Sequence, residues 1–105
     1  MTDKIVVFSA CSSQEEARTL ARHLVEARVA ACVNVIPGAF SVFRWEGKID
    51  EASEWLLIIK TVRARLDDLK SELRRMHSYS VPEVVAIPIV DGSEDYLDWV
   101  ESEVS

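Results

Sequence analysis

The sequence is poor in the residues from which most catalytic and metal sites are built. It contains 2 cysteines, 2 histidines and 3 glycines among 105 residues. There is no G-x-G-x-x-G or Walker phosphate loop and no C-x-x-C or H-x-x-x-H metal pair. No spacing of Ser, Cys, His and Asp indicates a nucleophile with its general base. We therefore expect a protein that is not an enzyme and has no closed metal site within one chain.

Basic residues are also scarce, since 12 Lys and Arg face 18 Asp and Glu and the net charge is −6. The longest basic run is Arg74-Arg75. Sequence-independent nucleic-acid binding needs a basic surface that displaces counterions, so we expect no nucleic-acid partner. The first apolar run, residues 5–8, is too short for a signal peptide or a membrane span. We therefore expect no membrane association, a cytoplasmic location and two free thiols.

The most informative stretch is residues 33–61, which predicts one long antiparallel hairpin. Glu46-Gly47 lies at its midpoint, where glycine supplies the positive φ of a tight turn. Both arms are rich in Val, Ile, Phe and Trp, which suit a pleated, packed surface. Pro37-Gly38 interrupts the first arm and predicts a bulge. A two-stranded ribbon of this length is not stable alone, so it must lie on other elements and overhang them.

The remaining periodicities predict the other strands and the helices. Ser13 and Glu16 form a capping box that begins a first helix, which fades near Arg28. Thr61 is predicted to cap a second helix, and Ser93 a short last one. The other predicted elements are a strand at 5–8, a strand from about 30 into the hairpin, a loop at 77–82, a strand at 84–90 and a turn at 91–93. This order predicts an α+β, ferredoxin-like βαββαβ sandwich with a long central β-hairpin and a short C-terminal helix, in a single domain over residues 1–105.

The second arm of the hairpin is apolar on both faces, with Trp55, Leu57 and Ile59 on one face and Leu56 and Ile58 on the other. An antiparallel sheet with one wet face alternates apolar and polar residues instead. Two helices cover one face of the predicted sheet, and the short last helix is too small to cover the other. Copies of the same chain are the simplest cover, which predicts a homo-oligomer.

Five segments occur together, in this order and at this spacing, in a known family. They are Ala30-Ala31-Cys32-Val33-Asn34, Trp45-Glu46-Gly47-Lys48, Lys60-Thr61, Tyr79-Ser80-Val81-Pro82-Glu83 and Tyr96-Leu97-Asp98-Trp99. The chain thus resembles the CutA-type divalent-cation tolerance proteins over essentially its whole length. The resemblance implies a ferredoxin-like fold, a tight homotrimer similar to the PII signal proteins and a cytoplasmic role in tolerance of copper and other divalent metals. It implies no established enzymatic activity.

The resemblance also implies a copper site that this chain retains only in part. Some members carry a cysteine late in the first strand and a histidine pair before the Tyr-x-x-Pro segment, proposed as copper ligands. Here Ser9 stands at that cysteine position and Met76 at one histidine position, whereas Cys11 and His77 lie nearby.

The candidate metal ligands are Cys11, Cys32 and His77, because thiolate suits Cu(I) and imidazole suits Cu(II) or Zn. Two of them also have a structural interpretation, Cys32 as a small buried hydrophobe in a strand and His77 as an exposed residue at a helix C-terminus. His23 faces away from the apolar stripe of its helix and is expected at the surface. We expect copper or another divalent cation to bind weakly or between subunits, and not to be required for folding.

A second candidate site combines aromatic and charged residues. Trp45, Glu54, Lys60, Tyr79 and Glu83 are predicted to line a cleft between subunits, with aromatic walls, one cation and carboxylates. The structural alternative is a surface ion pair between Glu54 and Lys60.

Three functions remain open from the sequence. The first is a trimeric divalent-cation (copper) tolerance protein with weak or intersubunit metal binding. The second is a PII-like sensor that holds a small ligand in the intersubunit cleft, and the third is a trimeric scaffold with no small ligand. The sequence indicates no particular protein partner.

Overall fold

Four strands and three helices make up the computed structural model, which describes residues 2–105. In chain order they are β1 (Lys4–Cys11), α1 (Gln14–Glu26), β2 (Cys32–Trp45), β3 (Lys48–Val62), a 3₁₀ turn (Arg63–Arg65), α2 (Leu66–Met76), β4 (Val85–Pro88) and α3 (Glu94–Val104). The strands form one antiparallel sheet in the order β2-β3-β1-β4. The predicted α+β, ferredoxin-like arrangement with a long central hairpin is confirmed.

The hairpin of β2 and β3 turns at the predicted residues. Trp45 pairs with Lys48, and both residues between them have positive φ, 51° at Glu46 and 78° at Gly47. This is the two-residue turn whose twist matches that of the flanking strands. The pairing of β3 with β1 ends at Trp55, so the part of the hairpin beyond Trp55 extends past the rest of the sheet, and the chain measures 44 Å along its long axis.

A bulge at Pro37-Gly38 changes which side chains of β2 face the helices. Ile36 pairs with Leu56 and Ala39 with Glu54, so β2 carries one extra residue between these pairs, and Gly38 has a φ of 84°. Paired residues share a face and alternate along a strand. The odd-numbered residues of β2 face the helices before the bulge, and the even-numbered ones after it.

One face of the sheet packs on α1 and α2 and forms the main core. Val7, Leu57 and Ile59 are fully buried there. The helices contribute buried residues at helical spacing, which are Ala17, Leu20 and Leu24 of α1 and Leu69 and Leu73 of α2. Each fully buried aliphatic side chain stabilises the fold by about 1.5–3 kcal/mol relative to an exposed one.

Helix α2 begins later than its predicted cap. Thr61 is buried within β3, and its hydroxyl donates to the carbonyl oxygen of Val29 at 2.7 Å. The 3₁₀ turn follows, and no side-chain hydrogen bond caps α2 at Arg65. Thr61 as N-cap was therefore wrong, because a hydroxyl buried in a strand is used by a neighbouring backbone carbonyl.

The last helix is longer than expected and covers one end of the opposite sheet face. It has 11 residues, as many as α2. Its Val100 and Val104 bury Ala31 and Val62, and Glu101 pairs with Lys4 at 3.1 Å. The helix covers only this end, which agrees with the expectation that it is too small to cover the whole of the second face.

The rest of that face, which we call the open face, stays uncovered in one chain. Its apolar residues are half-buried or exposed and comprise Val6, Phe8, Ile36, Leu56, Ile58, Val85 and Ile87. Beyond the bulge, the helix-facing side of the overhanging hairpin adds an apolar stripe of Phe40 (64% exposed), Val42 (59%) and Ile49 (60%). Contiguous apolar surface of this kind is typical of an interaction surface.

Candidate functional site

Two of the three predicted metal ligands meet where β1 and α2 end. Cys11 is the last residue of β1 and His77 follows directly after α2. The Sγ of Cys11 lies 3.9 Å from Nε2 of His77. Both residues are buried, and the side chain of His77 has no exposed surface. The expectation that His77 is solvent-exposed was wrong, because the chain turns back over the sheet after α2.

Both ring nitrogens of His77 already have hydrogen-bond partners. The backbone N–H of Tyr79 donates to Nδ1 at 3.0 Å, so the proton of the neutral ring is on Nε2. Nε2–H donates to the carbonyl oxygen of Ala10 at 2.6 Å. Neither nitrogen therefore offers a free lone pair to a metal ion, and Nε2 cannot accept a proton from Cys11.

The thiol of Cys11 is held in its neutral form. Burial, followed by the charges of Glu16 and Glu54, raises the pKa of Cys11 to about 12. Metal ions bind the thiolate, so a raised thiol pKa opposes coordination at neutral pH. The residues present at this pair do not fit a divalent cation in a single chain, and no nucleophilic chemistry follows from the 3.9 Å contact.

Glu16 links this cluster to α1. The hydroxyl of Ser13 accepts from the N–H of Glu16 at 3.1 Å, which confirms the predicted cap. The carboxylate of Glu16 does not complete the capping box and instead accepts from the N–H of Ser78 at 2.8 Å. Burial alone would raise the pKa of Glu16, but hydrogen bonds from Ser78, together with the nearby His77 and the backbone of Ser12, lower that pKa below its ordinary value.

Tyr79 links the same segment to the hairpin. Its hydroxyl donates to Oε2 of Glu54 at 2.7 Å, and its ring packs on the ring of His77 at a centroid distance of 4.7 Å. Burial and then the bond to Glu54 raise the pKa of Tyr79 well above its ordinary value. Residues 77–79 are thus fastened to β1, α1 and β3 together.

Cys32 lies elsewhere. It pairs across the sheet with Lys60, whereas Cys11 pairs with Trp55, five positions away along β3 on the opposite face. Five positions correspond to roughly 16 Å. Cys32 is half-buried rather than fully buried, with its Sγ 4.0 Å from Nζ of Lys60. Within residues 2–105, no three His, Cys, Asp or Glu side chains are grouped as a metal site.

The predicted cleft residues are brought together only in part. Glu54 and Tyr79 bond directly, but Lys60 bonds to Oδ1 of Asn34, so the predicted alternative of a Glu54–Lys60 ion pair was wrong. Lys60 lies six positions after Glu54 on β3. Trp45 pairs with Lys48, which lies six positions before Glu54. Both Lys60 and Trp45 are therefore roughly 20 Å from Glu54. Glu83 is exposed. Two surface cavities of about 400 Å³ are lined by none of these five residues.

Sequence reasoning missed two contributors to the cluster, Glu16 and the carbonyl of Ala10, and misplaced one histidine outside it. The sequence assigned Glu16 only to the helix cap, whereas in the structure its partly buried carboxylate accepts a hydrogen bond from Ser78. The carbonyl of Ala10 is backbone and has no signal in the sequence. His23, expected at the surface, is half-buried and contacts Glu72 of α2 at 3.2 Å.

Comparison with known proteins places these observations in a family. Residues 5–103 match the family described as CutA1 divalent ion tolerance protein. The "Divalent-cation tolerance protein CutA" of Thermus thermophilus is 47% identical over 95 residues, which cover 90% of this chain and 92% of that protein. The "Protein CutA, chloroplastic" of Arabidopsis thaliana is 45% identical over 98 residues, which cover 93% of this chain but 54% of that protein. The chain thus spans about half the length of the plant relative.

A solved structure agrees with the fold. The crystal structure of CutA from Xylella fastidiosa superposes with a TM-score of 0.96 at 36% identity and covers 99% of this chain and 100% of that one. Among residues 2–105, no helix is long and apolar enough to cross a membrane. The family and the Thermus protein are named for divalent-ion tolerance, and neither name describes an enzyme.

Proposed function

The chain belongs to the CutA1 divalent ion tolerance family, and from this premise we propose that it acts in cellular tolerance of divalent cations, copper among them, as a homotrimer. The observation that carries the proposal is the family match over residues 5–103, together with 47% identity to a protein named for divalent-cation tolerance. The role is a non-enzymatic one, in the cytoplasm.

Metal contact in this role is weak or shared between subunits. Of the three predicted ligands, Cys11 and His77 are buried, and His77 is hydrogen-bonded to the protein. Cys32 is half-buried and accessible to solvent. Cys11 and His77 lie together but Cys32 lies elsewhere, so these three residues cannot provide the three or four ligands of a tight site within one chain. Copper or another divalent cation therefore is not required for folding, and donors from neighbouring copies complete any site.

Two surfaces support self-assembly. The open face exposes Val85 and Ile87 by about half, and the hairpin stripe exposes Phe40, Val42 and Ile49 still more. Monomeric proteins rarely leave such contiguous apolar surface in water. Both outer strands of the sheet, β2 and β4, also keep one unpaired edge that a second chain can extend. The number three comes from the family resemblance.

A ligand sensor of the PII type is the second candidate, and one observation favours it. Glu54 and Tyr79, two of the five predicted cleft residues, are in contact at the base of the hairpin. Trp45 and Lys60 would have to come from other copies to complete the cleft. A scaffold without any ligand is the third, and it differs from the first two in predicting no ligand-dependent change in stability.

The proposal is tested in cells that lack their own member of this family. We expect the chain to restore growth in medium with elevated copper, and an equal amount of the Ile58→Asp chain to fail. In parallel, the melting temperature of the purified protein is measured with copper, zinc and ATP. Restored growth with a copper-dependent shift supports the first function, a shift with ATP supports the second, and no rescue despite abundant folded protein contradicts the proposal.

A further inference from the structure

Residues 77–79 are joined to three different elements by three hydrogen bonds. Nε2–H of His77 donates to Ala10 in β1 at 2.6 Å, the N–H of Ser78 donates to Glu16 in α1 at 2.8 Å, and the hydroxyl of Tyr79 donates to Glu54 in β3 at 2.7 Å. Connecting segments usually run over the surface and are more mobile than the elements they join. The three hydrogen bonds therefore restrain residues 77–79 relative to β1, α1 and β3.

We infer that His77 is a positioning residue that locks this segment across the end of the sheet, and that divalent cations do not bind to the Cys11–His77 pair. The inference departs from the copper site that the family resemblance implies. This inference concerns only the Cys11–His77 pair, so the proposed tolerance function is tested by separate experiments.

The hydrogen-bond pattern carries the first half of the inference. His77 accepts through Nδ1 and donates through Nε2, which uses the full capacity of a neutral imidazole. A metal ion at either nitrogen would leave a buried N–H of Tyr79 or a buried carbonyl of Ala10 without a partner, which is costly in a dry interior. Both ring nitrogens of His77 are therefore already occupied by hydrogen bonds to protein groups.

The residues around the Cys11–His77 pair also argue against a metal site. Ser9, at the position where the resemblance implies a cysteine in some members, is fully buried, and its hydroxyl has no hydrogen-bond partner among the described residues. It is a poor ligand for a soft metal. Met76, which stands in place of a second histidine, is partly buried against the core. Within residues 2–105, no group of three His, Cys, Asp or Glu side chains is placed to hold a metal ion around Cys11 and His77.

The lock also sets the direction of the hairpin. Glu54 lies directly after the overhanging part of β3 and pairs with Ala39, the first residue after the bulge. Tyr79, in the segment that leads into β4, donates its hydroxyl hydrogen bond to Glu54. Loss of the lock would free the base of the hairpin and therefore loosen the apolar stripe at Phe40, Val42 and Ile49.

The experiment separates a lock from a ligand by comparing His77→Gln with His77→Ala. Glutamine keeps an N–H that can donate to Ala10 but removes the imidazole, whereas alanine removes both. His23→Gln, at the other histidine of the chain, is the matched control. Copper(II) binding is measured by titration calorimetry, and amide hydrogen exchange is measured over residues 77–84 and around Glu54, on the assembled protein.

We expect His77→Gln to change copper affinity by no more than His23→Gln does, within about twofold. His77→Ala should accelerate amide exchange in both regions by at least about tenfold, and His77→Gln should restore most of the protection. A loss of copper affinity of about tenfold or more in His77→Gln but not in His23→Gln would show that the imidazole is a ligand. Unchanged exchange in His77→Ala would show that no lock exists. Either result overturns the inference, and neither bears on growth rescue by the parent chain.

Discussion

Single residues in this fold carry costs that can be measured. The hydroxyl of Ser9 is buried beneath the helices, between Val7 and Cys11 on the same face of β1, and has no hydrogen-bond partner within residues 2–105. A buried unsatisfied hydroxyl costs about 1–3 kcal/mol. The composition of the strand gives no sign of this, because a serine among apolar residues is equally compatible with a satisfied hydrogen bond.

Ser9→Ala is therefore expected to stabilise the protein by about 1 kcal/mol, since it removes the unpaired hydroxyl without creating a large cavity. The measurement is the urea concentration at half-unfolding at a fixed protein concentration. Ser53→Ala, on the exposed part of the hairpin, is the control and should shift this midpoint little. A lower midpoint for Ser9→Ala would mean that the hydroxyl does have a partner.

Glu16 predicts how stability depends on pH. Its pKa is lowered in the folded state, so its carboxylate stabilises the fold fully above the ordinary value of 4.5 and loses this effect as the pH falls through the folded value. Glu16→Gln should lower the urea midpoint at pH 7, and the difference from the parent should shrink by pH 3. Glu15→Gln, at an exposed neighbour, is the control for the loss of one negative charge from the first turn of α1. A difference that stays constant with pH would contradict the assigned role of Ser78.

At the scale of elements, strong local signals predicted the structure well. The Glu46-Gly47 turn, the Pro37-Gly38 bulge and the Ser13 cap each have a backbone reason that is visible in the sequence, and all three are present. The errors at Thr61 and His77 have a common cause. Both side chains bond to backbone carbonyls distant in the sequence, at Val29 and Ala10, and no local pattern reports such partners.

The bulge gives a prediction for the hairpin. Gly38 has a φ of 84°, in the left-handed region that side chains with a Cβ disfavour. Gly38→Ala should therefore destabilise the protein by about 1 kcal/mol, although an added Cβ would meet no atom within 4 Å. Gly92→Ala, which places its Cβ in ordinary contact 3.5 Å from Leu97, is the control and should cost less. Equal losses for the two variants in thermal unfolding would contradict the strain argument.

At the scale of the whole molecule, the candidate site could be predicted only in its residue types. The sequence named Cys11, His77, Glu54 and Tyr79, and the fold brings these four to one end of the sheet. It did not reveal that His77 is bonded to backbone groups of Ala10 and Tyr79, or that Tyr79 bonds to Glu54. Whether groups that converge remain free for a ligand depends on hydrogen-bond geometry, which residue identity does not encode.

Two neighbouring residues on β3 separate folding from assembly. Ile58 lies on the open face and is half-buried in one chain, whereas Leu57 is fully buried beneath the helices. Ile58→Asp should give a folded chain with the parent's circular dichroism spectrum that no longer assembles, because a charge would be unpaired in an apolar interface. Leu57→Asp should not fold at all. If Ile58→Asp assembled as the parent does, the open face would not be an interface.

The claim on which the account of function depends is that copies of this chain cover the open face and the hairpin stripe and complete whatever site binds metal. Sedimentation equilibrium at micromolar concentration, without added metal, tests it most directly. The account predicts a single species of three times the chain mass of 11.8 kDa. A stable species of 11.8 kDa at that concentration would contradict it.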